Sequence, residues 1–280
     1  MPWHARLNLD YRVEASRTVA RFEHEGPLRI LQSLYPEGDA VCHNVLVHPP
    51  GGLVGGDTLD LRIHVGAGAH GLVTTPGATR FYRSEGDTAT QQAQLRLEEN
   101  ARLEWFPLEA LCYSGCRAEN RAVFDLAPGA EAMGWDVMAL GLPQAGRPFV
   151  QGSVLQHLQL KDAWLERGRV DALDARLMDG PLGLAGHRCM ATLFLLAGST
   201  LPRARRDAAL ALARACIDEA LPAQPQGCIA GATAPDARVV VVRALAPLVE
   251  PALALLKSVR AAWRAALWEL PGAPPRGWAV

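Results

Sequence analysis

Apolar and polar side chains alternate in short runs over the first two thirds of the chain. Leu7, Leu9, Tyr11 and Val13 alternate with polar neighbours, the period of a strand with one face buried. Runs of the same kind recur at 41–47, 58–65, 94–97, 122–126 and 154–160, punctuated by Gly, Pro and Asn. Three longer segments share one shape: LDLRIHVGAGAHGLVTTPG, AQLRLEENARLEWFPLE and AVFDLAPGAEAMGWDVM each read as strand, tight turn, strand. Their turns end at Ala69, Ala101 and Ala130, 32 and 29 residues apart. Such a period is what stacked rungs produce, each burying its face against the next; a plain β-meander with similar turns fits the same spacing.

The last third changes period. Residues 201–221 carry Ala, Leu and Ile at helical spacing with Pro202 near the start, and in 247–270 Leu256, Val259, Trp263, Leu267 and Leu270 follow steps of three and four. Pro247 and Pro251 fit only near the start of that helix. The run 238–243, RVVVVR, reads as a strand, and the tail PGAPPRGWAV is too rich in Pro and Gly to be helical. No linker interrupts the chain. The pattern therefore predicts one domain over 1–280, mainly β: a β-helix-like stack of short strands (1–200 and 222–246) with two C-terminal-half α-helices, about 202–221 and 247–270.

Composition narrows the function classes. Apolar residues make up 49% of 280, enough for a core, and the net charge of −1 gives no basic surplus for nucleic acid. The longest apolar run, 190–198, is far shorter than a membrane span. The N-terminus has charges throughout and no apolar stretch of a secretory signal. A cytoplasmic protein with six reduced cysteines is expected.

The stretch HPPGGLVGGD (48–57) invites a phosphate-binding reading, which its chemistry rejects. A P-loop needs a lysine to reach the phosphates; here Asp57 stands in that region, and Leu59, Leu61, Ile63 and Val65 continue as a strand where a dinucleotide loop would open a helix. No Gly-x-Ser-x-Gly is present, and Cys112 and Cys116 flank a turn with no histidine near them in sequence. Cys42, His43, His48, His64 and His70 could line a metal path, but successive strand residues point to opposite faces, so Cys42 and His43 do not share one ion. No bound cofactor is expected.

Four motifs in order, PPGGLVGGD (49–57), TTPGATRFYRS (74–84), EWFPLEALCYSG (104–115) and GWDVMALGLPQAGRPFVQG (134–152), resemble the urease accessory protein UreD family, also called UreH. The resemblance is densest in the first half of the chain. It implies a β-helix-like fold with two helices and a non-enzymatic role in urease maturation: a scaffold and nickel conduit acting with UreF and the GTPase UreG on apo-urease (UreABC), with nickel supplied through UreE. Nickel would be cargo in transit. Gly51, Gly52, Gly55 and Gly56 would shape a conduit-forming bend, with Thr75, Pro76, Gly77, Arg80, Tyr82 and Trp135 as structural or partner-binding motif positions. Asp57, Glu109 and Asp136 are the candidate nickel-passage acids, although Asp57 fits a turn cap equally well, and a salt bridge to Arg80 or Arg83 is open to all three. The family often has lysine at Arg80 and glutamine at Leu108. A hydrolase with a buried acid pair and a plain scaffold without metal remain alternatives. Trp263 or Trp268 would either anchor a UreF-type partner or pack the last helix on the core.

Overall fold

A computed structural model describes residues 2–220 and 227–278. In chain order its strands are β1 (His4–Glu14), β2 (Arg17–Glu25), β3 (Arg29–Leu34), β4 (Val41–Val47), β5 (Gly52–Leu53), β6 (Thr58–Val65), β7 (His70–Thr74), β8 (Thr79–Phe81), β9 (Ala89–Leu97), β10 (Arg102–Phe106), β11 (Ala110–Cys112), β12 (Arg117–Leu126), β13 (Glu131–Leu142), β14 (Arg147–Pro148), β15 (Ser153–Leu160), β16 (Trp164–Asp171), β17 (Cys189–Ala197), β18 (Ile229–Asp236) and β19 (Val239–Ala246). The helices are α1 (Ala175–Asp179), α2 (Arg203–Ala220) and α3 (Val249–Trp268).

The chain winds as a solenoid. One sheet runs β16-β15-β12-β9-β6-β1-β2 and the other β18-β19-β17-β13-β10-β7-β4-β3. Between the antiparallel margins, β6, β9 and β12 stack in parallel in the first sheet, and β4, β7, β10 and β13 in the second. Each coil passes from the first sheet to the second through one of the three turns singled out above. The turns stack on one another: Arg102 N donates to Ala69 O and Glu131 N to Ala101 O. Stacked rungs, not a meander, is thus the arrangement, because each turn donates to the coil beneath it.

Two cores result. One lies between the sheets and contains Leu7, Leu9, Tyr11, Leu61, Ile63, Leu95, Phe124 and Met138. The other lies on the outer face of the second sheet, beneath α2 and α3, and contains Trp135, Leu193, Val240, Val242, Leu256, Val259 and Trp263. Strand β13 is buried on both faces, so its alternation is invisible as polarity: Met133, Trp135 and Val137 face the helices, while Ala132 and Met138 face the other sheet.

Several expectations need correcting. Helix α1 lies in a stretch expected to be β; at five residues it shows no helical period, and its start is set locally by Asp174, whose side chain accepts from Leu177 N. Helices α2 and α3 are each shorter than the predicted spans; residue 221 of the first predicted helix and residues 222–226 of the predicted second β-rich stretch lie outside the described residues. The Pro-rich tail includes one turn of 3-10 helix, Arg276–Trp278. Neither Trp263 nor Trp268 is outward-facing. Both are buried: Trp263 Nε1 donates to Ala209 O on α2 at 2.8 Å, and Trp268 Nε1 donates to Glu131 on β13. They pack the last helix on the core.

Candidate functional site

In three successive coils the strand of the second sheet breaks. The breaks fall at 48–51, between β4 and β5; at 75–78, between β7 and β8; and at 107–109, between β10 and β11. These are the Gly- and Pro-bearing motifs. Pro supplies no backbone donor and cannot continue a ladder. Strand β13 in the next coil runs on unbroken, which leaves a seam beside its middle. Side chains latch the seam's edges: Thr74 Oγ1 donates to Phe106 O at 2.7 Å, Leu108 N donates to Thr75 Oγ1 at 2.9 Å, and Trp135 Nε1 donates to Pro107 O at 2.6 Å. Trp135 is therefore structural, a strut from β13 to the third bend.

A cavity lies on each side of the seam. The inner one, about 300 Å³, is lined by residues including His48, Gly51, Thr75, Arg80, Gln91 and Trp105. The outer one, about 770 Å³, opens toward the start of α3 and is lined by residues including Leu108, Glu109, Arg188, Glu250 and Lys257. Pro76, Gly77 and Ala78 line both, so the second bend is the partition between them.

The glycines of the first bend serve close packing. Gly51 and Gly56 have φ of 73° and 88°, which favour glycine. A Cβ on Gly52 would stand 2.2 Å from the Tyr82 ring, and one on Gly55 would be as close to Ser84 Oγ. Tyr82 thus acts by packing on the bend, and Arg80 Nη1 lies 3.5 Å from Gly51 O.

The three candidate acids occupy different places. Asp57 is buried and accepts from Trp3 N at 3.1 Å and Val54 N at 2.9 Å. It caps the bend and ties it to the N-terminal strand. Its neighbour His48 is held below the usual imidazole range by burial, which outweighs the Asp57 charge, and its Nε2 has no hydrogen-bond partner. Glu109 is half-buried on the outer cavity. Asp136 points from β13 into the space between the sheets and accepts from Asn120 Nδ2 and Gln156 Nε2, both at 2.5 Å. Burial, with the Glu166 charge adding, pushes its carboxyl up to about 6 against the two amide hydrogen bonds. None of the three pairs with Arg80 or Arg83 among the described residues, and no three His, Cys, Asp or Glu side chains there are grouped to hold a metal. Cys112 and Cys116 are buried, and their mutual hydrogen bond and burial raise the Cys112 thiol well above its ordinary range.

One charged cluster escaped the sequence reading. Glu104 on β10 is fully buried and meets Arg260 Nη2, Arg264 Nε and His70 Nε2 at 2.9, 2.9 and 3.1 Å. Arg264 also reaches Glu37, which in turn meets His43 Nε2 at 2.8 Å. Burial alone would raise the Glu104 carboxyl, but the His70 hydrogen bond and the charges of His70 and the two guanidinium groups hold it at about 2. The available signal was Arg260 and Arg264, four apart beside the stripe Leu256, Val259 and Trp263: cations on an apolar helix face require a buried anion.

The UreD urease accessory protein model matches residues 4–279. The chain belongs to the UreD urease accessory protein family. It is 63% identical over 280 residues to the urease accessory protein UreD of Variovorax paradoxus (strain S110) and 61% identical to that of Polaromonas sp. (strain JS666 / ATCC BAA-500), each covering 100% of both chains. The UreD of Methylibium petroleiphilum is 50% identical, with 99% of each covered. Membership assigns this chain a role in urease maturation. The motifs that first suggested the family are the ones that build the seam, which ties the UreD signature to one place in the fold. Among the described residues no helix is long and apolar enough to cross a membrane.

Proposed function

We propose that this UreD protein is a non-enzymatic scaffold through which nickel passes to apo-urease (UreABC), acting in the cytoplasm in a complex with UreF and UreG, with UreE as the nickel source. The observation that supports it is Asp136. A buried carboxylate is costly unless paired or hydrated, and this one has only neutral amides as hydrogen-bond partners beside a seam with a cavity on each face. Such a group attracts a divalent cation, yet as a lone carboxylate it binds weakly enough to release it, which transit requires. Glu109 serves the outer cavity, and Asp57, besides capping the bend, places negative charge next to His48. GTP hydrolysis is left to UreG.

The test is co-expression of Asp136→Ala with the urease subunits and the other accessory proteins. Expected are normal recovery of the complex and urease depleted of nickel by metal analysis. Full nickel content with Asp136→Ala would remove Asp136 from the path, and full content with Asp57→Ala and Glu109→Ala as well would end the conduit assignment to these acids.

A further inference from the structure

Among the described residues, one row of polar side chains runs across both sheets in the largely apolar space between them; Asn44 on β4 is buried apart from it, its Nδ2 donating to Ser33 Oγ at 3.1 Å. In the first sheet Gln91 is in register with Asn120 and Asn120 with Gln156, so three carboxamides stack on β9, β12 and β15. In the second sheet Asp136 is in register with Thr192 and Thr192 with Arg243. The rows face each other and are joined: Gln91 Nε2 donates to Asn120 Oδ1 at 3.2 Å, Asn120 and Gln156 donate to Asp136, and Thr192 Oγ1 donates to Glu166 Oε1 at 3.2 Å. One end opens on the inner cavity, which Gln91 lines. The other ends at the partly exposed Glu166–Arg243 ion pair. The residues two before and two after Gln91 and Asn120 share their face and are all alanine: Ala89, Ala93, Ala118 and Ala122. Small side chains flank the row where large ones would fill it.

Resting on the nickel-passage reading above, we propose that Gln91, Asn120 and Gln156 form the second wall of that path, and that Asn120 and Gln156 are positioning residues that hold the two Asp136 oxygens until the ion displaces them. A carboxamide has a donor end and an acceptor end on one rotatable group. With no ion present the NH2 ends satisfy Asp136. When a divalent cation reaches Asp136 the amides turn and present carbonyl oxygens, neutral ligands that stabilise the ion without trapping it. The ladder thus supplies what a lone acid lacks: partners for the carboxylate before and after the ion has passed.

The experiment uses the full chain co-expressed with urease and the other accessory proteins, with nickel per urease measured across a range of nickel in the medium, and recovery of the complex measured in parallel. Asn120→Leu and Gln156→Met keep volume and remove the amide. Each is expected to raise the nickel needed for half-loading by about tenfold, the usual effect of removing a partner of a metal-binding group, with complex recovery unchanged. Asn120→Thr restores a hydroxyl donor and should recover much of the loss, which a purely packing role would not predict. If Asp136→Asn lowers loading while Asn120→Leu and Gln156→Met load normally, the ladder is packing and the proposal falls while the passage stands. Normal loading by Asp136→Asn would instead remove Asp136 from the path, and with it the proposal, while the passage reading would still stand on Asp57 and Glu109. Should the two deep variants fail to fold, Gln91→Met at the half-buried cavity end decides, and an unchanged nickel requirement there overturns the proposal.

Discussion

Single atoms decide how the motif residues work. Asp57 accepts two backbone N–H groups, so Asp57→Ala leaves buried donors unpaired. A loss of about 1–3 kcal/mol is expected, visible as a lower denaturant midpoint. The close approach at Gly52 sets a similar test. Gly52→Ala must push the Tyr82 ring aside, at about 1–3 kcal/mol, and lowered Tyr82–Tyr113 contact should accompany the lower midpoint, since those rings now lie 5.0 Å apart. Asp136 differs in kind. Its two amide partners are on the opposite sheet, and no sequence neighbour announces them.

Helix α3 is held by both apolar and ionic contacts. Trp263 is fully buried against α2, so Trp263→Asp places an unpaired charge in the outer core. It is expected to unfold the helical layer, at a cost of about 3–5 kcal/mol or more, with loss of helical circular dichroism. The ion cluster fixes where α3 lies on the sheet. Glu104→Gln leaves Arg260 and Arg264 buried with less countercharge, and removing one partner of a buried pair costs about 3–5 kcal/mol. The cluster also sets an acid limit. Folded Glu104 titrates at about 2, below the ordinary glutamate value of about 4.3. A depressed carboxyl contributes stability that is present above its unfolded pKa and lost as pH falls through the folded one. Glu37 is lowered in the same direction, burial opposed by His43 and Arg264. Stability should therefore drop steeply between about pH 4.3 and 2, and replacing Glu104, Arg260 and Arg264 together by methionine should flatten that drop in acid-unfolding curves.

The whole molecule is three layers: sheet, sheet, helices. Its functional candidate lies at the seam where motif bends interrupt the middle layer, beside the stretch of β13 that carries Asp136. If the protein serves only urease maturation, a urease-producing strain lacking its gene should make urease subunits at normal levels but with little nickel and little activity. Unchanged urease activity in that strain would refute the role. On the scaffold reading the purified protein is expected to hydrolyse neither GTP nor ATP above a denatured control, since 48–58 carries no P-loop lysine.

The alternation at Leu7–Val13, the 32- and 29-residue turn spacing and the 3.6-residue period of 247–270 were legible because each is a local pattern that burial imposes on neighbouring residues. The stacked coils, the two long helices and the motif bends could be read that way. The seam could not, because it arises when bends far apart in sequence fall side by side in adjacent coils. Nor could the Asp136–Asn120–Gln156 contacts or the Glu104 cluster, whose partners are up to 227 residues apart. Strand β13, buried on both faces, hides which of its residues face inward. The sequence by itself determined the periods and the turns, since these follow from nearest-neighbour stereochemistry. Which acid caps a bend, which faces a polar row and which neutralises two arginines was decided only in the tertiary structure, because a buried charge takes its role from the partners that folding brings to it.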